Sequence, residues 1–324
     1  MKSNNLKEKF SKTNFVSGLK ISSIVSLCII LIAVVIVSIF NFNLGIDFTG
    51  GKIIDVKVGS ELDKTENYRE VKSQIETIFN SEGFKIKSIQ LESTSEDATV
   101  VVKFVYSNKI TSDNELTKLE ELRTKLSSEL TLNETTLSPT VSEVKTFSSI
   151  LTSKNVILAI SAILTTLALV IIYLSIRFKL ISALTILCVA IHDVLLMLSI
   201  TCLTRIEINA GFLVAIGSTL ILSLISSVVM FDKLKDNKSR ELYKDLSSES
   251  LANLTIIETF NRVSYIMLFV FIIGLAMLII GTNPVKLISL PLLVGVLSSY
   301  YSTIMLKLPL WSKISKFSQN KKEK

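Results

Sequence analysis

The sequence predicts an α-helical membrane protein with six transmembrane helices and an α+β extracytoplasmic domain between the first and the second. Two observations predict this. Apolar residues gather into six runs, each long enough to cross a hydrocarbon layer of ~30 Å. One long polar interval, 41–154, separates the first run from the others and carries its own strand and helix signals. A mean hydropathy of +0.53 over 324 residues agrees with a multi-span chain.

Charge and cysteine use narrow the function classes. The net charge is +7, but the basic residues flank apolar runs instead of lining one soluble unit, so no nucleic-acid partner is implied. Cys28, Cys188 and Cys202 all lie inside apolar runs and show no metal-ligand spacing. With one histidine in the chain, a metal enzyme is disfavoured. No motif implies an enzyme, a metal or a soluble cofactor.

Residues 1–20 form a polar, basic start with Lys2, Lys7, Lys9 and Lys12. The first span follows at 21–40. It is longer than the apolar core of a signal peptide and lacks a small-residue cleavage site. Gly45-Ile46-Asp47-Phe48-Thr49-Gly50-Gly51 comes next. Its glycines mark a tight irregular link, and Asp47 reads as a turn former. A phosphate loop would end in Lys-Ser/Thr, which this stretch lacks.

Within 41–154, Ile53, Ile54, Val56 and Val58 suggest a strand. Val71, Ile75, Ile78 and Phe79 recur at helical spacing. Phe84–Leu91 and Ala98–Tyr106 read as two strands joined by a turn over Ser93–Asp97. Leu116, Leu119, Leu122, Leu126 and Leu130 mark an amphipathic helix, and a weak strand surrounds Val141 and Val144. The order β-α-β-β-α-β is the ferredoxin-like, split βαβ pattern.

The remaining spans are placed at 155–176, 181–203, 209–230, 263–281 and 285–306. A charged cytoplasmic loop occupies 231–262, and a basic tail 307–324. Lys and Arg concentrate before the first span, at Arg177 and Lys179, between Lys233 and Arg262, and from Lys307 on. The two short opposite loops hold only Arg205 and Lys286. The positive-inside rule therefore puts both termini in the cytoplasm and the large domain outside.

Candidate functional residues lie in the third and fourth spans. His192 and Asp193 sit mid-span, where an ionisable group is costly and faces a partner or water. Thr219, Ser223, Ser226 and Ser227 share one helical face. Small hydroxyl residues there read as packing groups that let helices approach closely. Arg262, at the start of the fifth span, is either a snorkelling anchor or a charge partner.

Several motifs together resemble the SecD/SecF family, in particular its SecF-type subunits. These are Leu44–Gly51, Arg177-Phe178-Lys179, His192-Asp193-Val194 and Tyr300-Tyr301-Ser302-Thr303-Ile304. Val228–Asn237 resembles the family's Val-Val-Val-Phe-Asp-Arg-Ile-Arg-Glu-Asn and includes Asp232. The family motif residues retained are Gly45, Asp47, Gly50, Gly51 and Asp232. The resemblance implies a fold of the resistance-nodulation-division type in the bacterial inner membrane. It implies a SecD-like partner, the SecYEG channel, YajC as a further partner, preprotein substrates, and work driven by the proton motive force. It nominates Asp193, His192 and Arg262 for the proton path.

One departure stands out. The family's fourth-span motif reads Gly-Tyr-Ser-Leu-Asn-Asp-Thr-Val-Val. Here Ile221-Leu222-Ser223-Leu224-Ile225-Ser226-Ser227-Val228-Val229 places Ser226 at the family aspartate, and a hydroxyl does not titrate near neutral pH. Two alternatives to proton-driven export are open, the first because of this departure. One is a structural subunit that holds SecD and the channel together with its own proton site lost. The other is a small-molecule efflux half-transporter.

Overall fold

A computed structural model of the protein describes residues 14–58, 62, 66–92, 98–106, 114–132, 135–136, 139–149 and 153–320. The expected turn over Ser93–Asp97, the lysines before residue 14 and the last four residues lie outside the described residues.

Among the described residues, six helices are long and apolar enough to cross a membrane. Helix α1 spans Phe15–Phe40, and a single turn, α2, covers Ile46–Thr49. The α+β unit then runs β1 (Gly51–Lys57), α3 (Glu66–Ser81), β2 (Phe84–Glu92), β3 (Thr99–Tyr106), α4 (Glu115–Ser128), β4 (Thr131–Leu132), β5 (Thr135–Thr136), β6 (Thr140–Val141) and β7 (Lys145–Phe147). The chain returns through α5 (Ser153–Phe178), α6 (Leu180–Leu203), α7 (Ala210–Ser239) and α8 (Ser248–Ile280). The final helix begins as α9 (Asn283–Ser302), widens to a π turn over Thr303–Lys307, and continues as α10 (Leu308–Asn320).

The sheet is antiparallel. β1 pairs with β3, and β3 with β2, so the order is β2-β3-β1 with β6 and β7 both against the free edge of β1. Ser142 bridges the gap between β6 and β7: its N–H donates to Asp55 O at 2.9 Å and its Oγ accepts from Asp55 N at 2.9 Å. Alternation puts Ile54, Val56, Val100, Val102 and Phe104 on one face, where α3 and α4 cover them. Phe79, Phe84 and Phe104 meet edge-on at 5.0–6.2 Å. Leu119, Leu122 and Leu126 of α4 are buried, whereas Leu116, read as part of the same stripe, is 77% exposed. The stripe begins one turn later than the leucine count suggests.

Helices α6, α7 and α9 with its π turn form the inside of the bundle; α1, α5 and α8 lie outside. Gly295 explains the close approach of α9 to α7, because a Cβ there would lie 1.9 Å from Thr219 Oγ1. Two expected boundaries are corrected. The break after residue 230 does not occur: α7 continues unbroken to Ser239, with Phe231 and Leu234 buried, and Ser247 caps α8 at once by accepting from Ser250 N. Only residues 240–247 separate the two helices. Likewise the chain does not leave the bundle at residue 306. The helix carries on through the π turn, and Leu306, Lys307, Leu308 and Trp311 are buried. Pro309 accounts for the turn. It has no N–H for the carbonyl four residues back and its ring crowds that carbonyl, so the helix widens just before it.

The glycine-rich link ties the α+β unit to the bundle. Leu44 pairs with Ile208, with Gly45 N donating to Ile208 O and Ile208 N to Asn43 O, each at 2.9 Å. Gly50 adopts φ +73°, open to glycine at little cost. Gly51 lies so close to Phe104 O that a Cβ would sit 2.9 Å from it. Asp47 does more than form a turn: its Oδ2 accepts from Ala210 N at 2.8 Å and so caps the N-terminus of α7. Ser149 Oγ donates to Phe48 O and closes the exit of the unit.

Candidate functional site

The inward faces of the bundle are mostly apolar, but they also bury a set of hydroxyl and charged side chains. From α7 come Thr219, Ser223, Ser226 and Ser227; from α9 come Ser298, Ser299 and Ser302; from the π turn come Thr303 and Lys307. Asp193 enters from α6 with no solvent exposure, and Lys307 is equally enclosed.

Ser223 joins these two charges. Its Oγ donates to Asp193 Oδ2 at 2.6 Å, while its carbonyl accepts from Lys307 Nζ at 2.7 Å. Lys307 Nζ donates a second bond, to Ser226 Oγ at 2.7 Å, and Ser226 Oγ lies 3.0 Å from Thr303 Oγ1. Ser298 Oγ donates to the backbone carbonyl of Asp193 at 3.0 Å, which fixes α9 against α6. The widened turn brings Lys307 into line with this set. Taking one acid and one base out of water is tolerated when their opposite charges and hydrogen bonds compensate each other.

His192 and Asp193 do come together, although adjacent residues on a helix point ~100° apart. Their contact is long, 3.5 Å from Nδ1 to Oδ1, and among the described residues the buried His192 Nε2 has no hydrogen-bond partner. Arg262 does not join the cluster. It is exposed on α8, and among the described residues it makes no ion pair. Asp232 is also apart, at the far end of α7, where its Oδ2 accepts from Arg177 Nη2 at 2.6 Å.

Two sequence readings are corrected here. Ser226 is not only a packing residue, because it accepts a hydrogen bond from a buried cation. Lys307, counted among the basic tail residues, is the enclosed partner of the site. A signal for it was present: it stands alone in the apolar stretch Ile304–Trp311, as intramembrane cations do.

Fold and site define a multi-pass membrane protein whose innermost helices enclose a carboxylate and an ammonium linked by hydroxyl side chains. The family model of the protein export membrane protein SecD/SecF, C-terminal region, matches residues 127–317, and the chain belongs to the SecD/SecF family. It is 22% identical over 309 residues to protein translocase subunit SecF of Rickettsia prowazekii (strain Madrid E), covering 95% of this chain and 93% of that protein. It is 27% identical over 303 residues to protein translocase subunit SecDF of Bacillus subtilis (strain 168), covering 93% of this chain but only 38% of that longer protein. The crystal structure of SecDF, a translocon-associated membrane protein from Thermus thermophilus, superimposes with a TM-score of 0.67 at 21% identity, over 94% of this chain and 38% of that one. That likeness concerns the fold.

Proposed function

We propose that this chain is a SecF-like subunit of the Sec preprotein translocase accessory complex, assisting protein export across the inner membrane with the proton motive force. Family membership and full-length similarity to SecF proteins support the export role. The observation that carries the coupling role is Asp193, an ionisable group enclosed mid-bundle and hydrogen-bonded to the hydroxyl of Ser223, whose backbone carbonyl accepts from Lys307. A proton added to Asp193 removes the negative charge that balances Lys307. The helices holding the two groups then favour a different arrangement, which is how a titration becomes a movement. Where the family carries an acid in the fourth span, this chain has Ser226, which accepts a hydrogen bond from Lys307.

In this reading both termini are cytoplasmic and the α+β unit is extracytoplasmic, with the ferredoxin-like fold that its β2-β3-β1-β6 order supports. A SecD-like subunit covers the exposed apolar faces of the outer helices, and Arg262 meets a carboxylate of that partner. SecYEG, YajC and preproteins complete the assembly. The second reading, a structural subunit without coupling, is favoured by one observation: both buried charges are already hydrogen-bonded, as in a locked pair.

Export and proton flux in proteoliposomes containing SecD and the channel separate the two. Asp193→Asn is expected to reduce proton-dependent export at least ~tenfold, the range of an essential proton carrier. Unchanged export with intact assembly would establish the structural reading.

A further inference from the structure

At the end of the bundle away from the α+β unit lies a cavity of about 470 Å³, formed where α5 ends, α6 begins, α7 ends and α10 passes by. Its apolar walls include Phe178, Phe231 and Trp311. Its polar lining includes Arg177, Lys179, Lys235 and Lys238, and among the described residues no carboxylate lines it. The neighbouring acids are already occupied. Asp232 holds Arg177 at 2.6 Å, Asp236 holds Arg240 at 2.8 Å, and Glu258 accepts from Asn237 at 2.7 Å and meets Lys233 at 3.4 Å. Among the described residues, Lys179, Lys235 and Lys238 have no acidic partner. Lys235 Nζ reaches only the carbonyl of Arg177, at 3.3 Å, and Lys238 Nζ lies 4.4 Å from the Trp311 ring centroid.

Three unpaired cations converging on one hollow repel each other unless an anion sits among them. Beside the hollow the helix surfaces are apolar and bare: Ile176 is 83% exposed and Leu180 59%. An indole facing an ammonium at a helix end belongs to the membrane interface, where aromatic and basic side chains collect. A ligand that suits both features carries a phosphate and hydrocarbon chains together. We infer that this cavity binds the headgroup of an anionic phospholipid, with its phosphate held by Lys179, Lys235 and Lys238 and its acyl chains lying along Ile176 and Leu180. Basic pockets between spans are the sites where such headgroups bind. The inference is independent of the export reading.

Native mass spectrometry of the full chain released from nanodiscs of phosphatidylglycerol and phosphatidylcholine tests it. One phosphatidylglycerol is expected to stay bound per chain. The variant Lys179→Gln/Lys235→Gln/Lys238→Gln is expected to lose retention at least ~tenfold, since each lysine near the surface contributes severalfold to anionic-lipid affinity. Trp311→Leu, which leaves the charges in place, is expected to weaken retention less. Lys313→Gln/Lys316→Gln, which removes two α10 lysines that do not line the cavity, is expected to leave it unchanged. Equal loss in that control would mean diffuse surface attraction and overturn the site. Equal retention of phosphatidylcholine would overturn its anion preference. Displacement of the lipid by millimolar inorganic phosphate would assign the cavity to a free phosphate and overturn the lipid claim.

Discussion

The helix bundle and the α+β unit bury charge in opposite ways. In the α+β unit, Glu82 follows α3 and receives Lys118 at 3.0 Å and Lys125 at 2.6 Å from α4. Its carboxylate is nearly enclosed, yet both lysines remain exposed to more than a third of their surface. Water shares the work, so the arrangement locates α4 without dominating stability. In the bundle, Asp193 and Lys307 reach no solvent, and every compensating contact must come from the chain itself. The Ser223 hydroxyl and carbonyl and the Ser226 hydroxyl, all on α7, supply those contacts. Opposite charges thus meet directly as an edge clamp in one region and through Ser223, in an all-or-nothing network, in the other.

The largest test of that difference is Lys307→Met. It leaves Asp193 enclosed without its cation, and breaking a buried pair costs about 3–5 kcal/mol. Thermal unfolding of the purified chain should show it. The double variant Lys307→Met/Asp193→Asn should recover most of the loss, because both charges are then gone. No recovery would mean that the two groups are energetically separate and that Ser223 does not link them.

An intermediate effect is expected from Ser226→Ala. Read as packing alone, the change is nearly silent. With the hydroxyl accepting from Lys307 Nζ, it removes one acceptor from an enclosed cation and should cost about 1–3 kcal/mol. A midpoint unchanged from wild type would return Ser226 to a packing role.

The smallest effect belongs to the exposed clamp. Hydrogen bonds from Lys125 and Lys118 hold the Glu82 carboxyl below its ordinary value, and Lys52 and Tyr106 do the same to Glu115. Because these folded-state values are depressed, the unfolded chain binds more protons in acid. The contribution is therefore complete above the ordinary glutamate value, near 4.5, and is lost as pH falls below it through the folded values. Hydrogen exchange of residues 51–147 between neutral pH and pH about 3 should show protection falling. Glu82→Gln should flatten that slope slightly, and a slope that does not change would show that the clamp is already neutralised by solvent.

The six apolar runs, the α+β interval and the family motifs were all legible along the chain, because spacing and composition are local properties. So was Asp193, since an acid in an apolar run stands out wherever it falls. Lys307 was misread because the chain ahead of it resembles the end of a span. A basic residue after an apolar run looks like a membrane-edge anchor until the π turn and Pro309 are seen to carry the helix onward. The role of Asp47 was equally hidden: it caps a helix that begins 163 residues later, and no window along the sequence contains both. Local pattern determined which segments are helices, which are strands and which faces are apolar. Tertiary structure alone decided which charges meet, because desolvation and hydrogen bonding depend on distances between helices far apart in the chain.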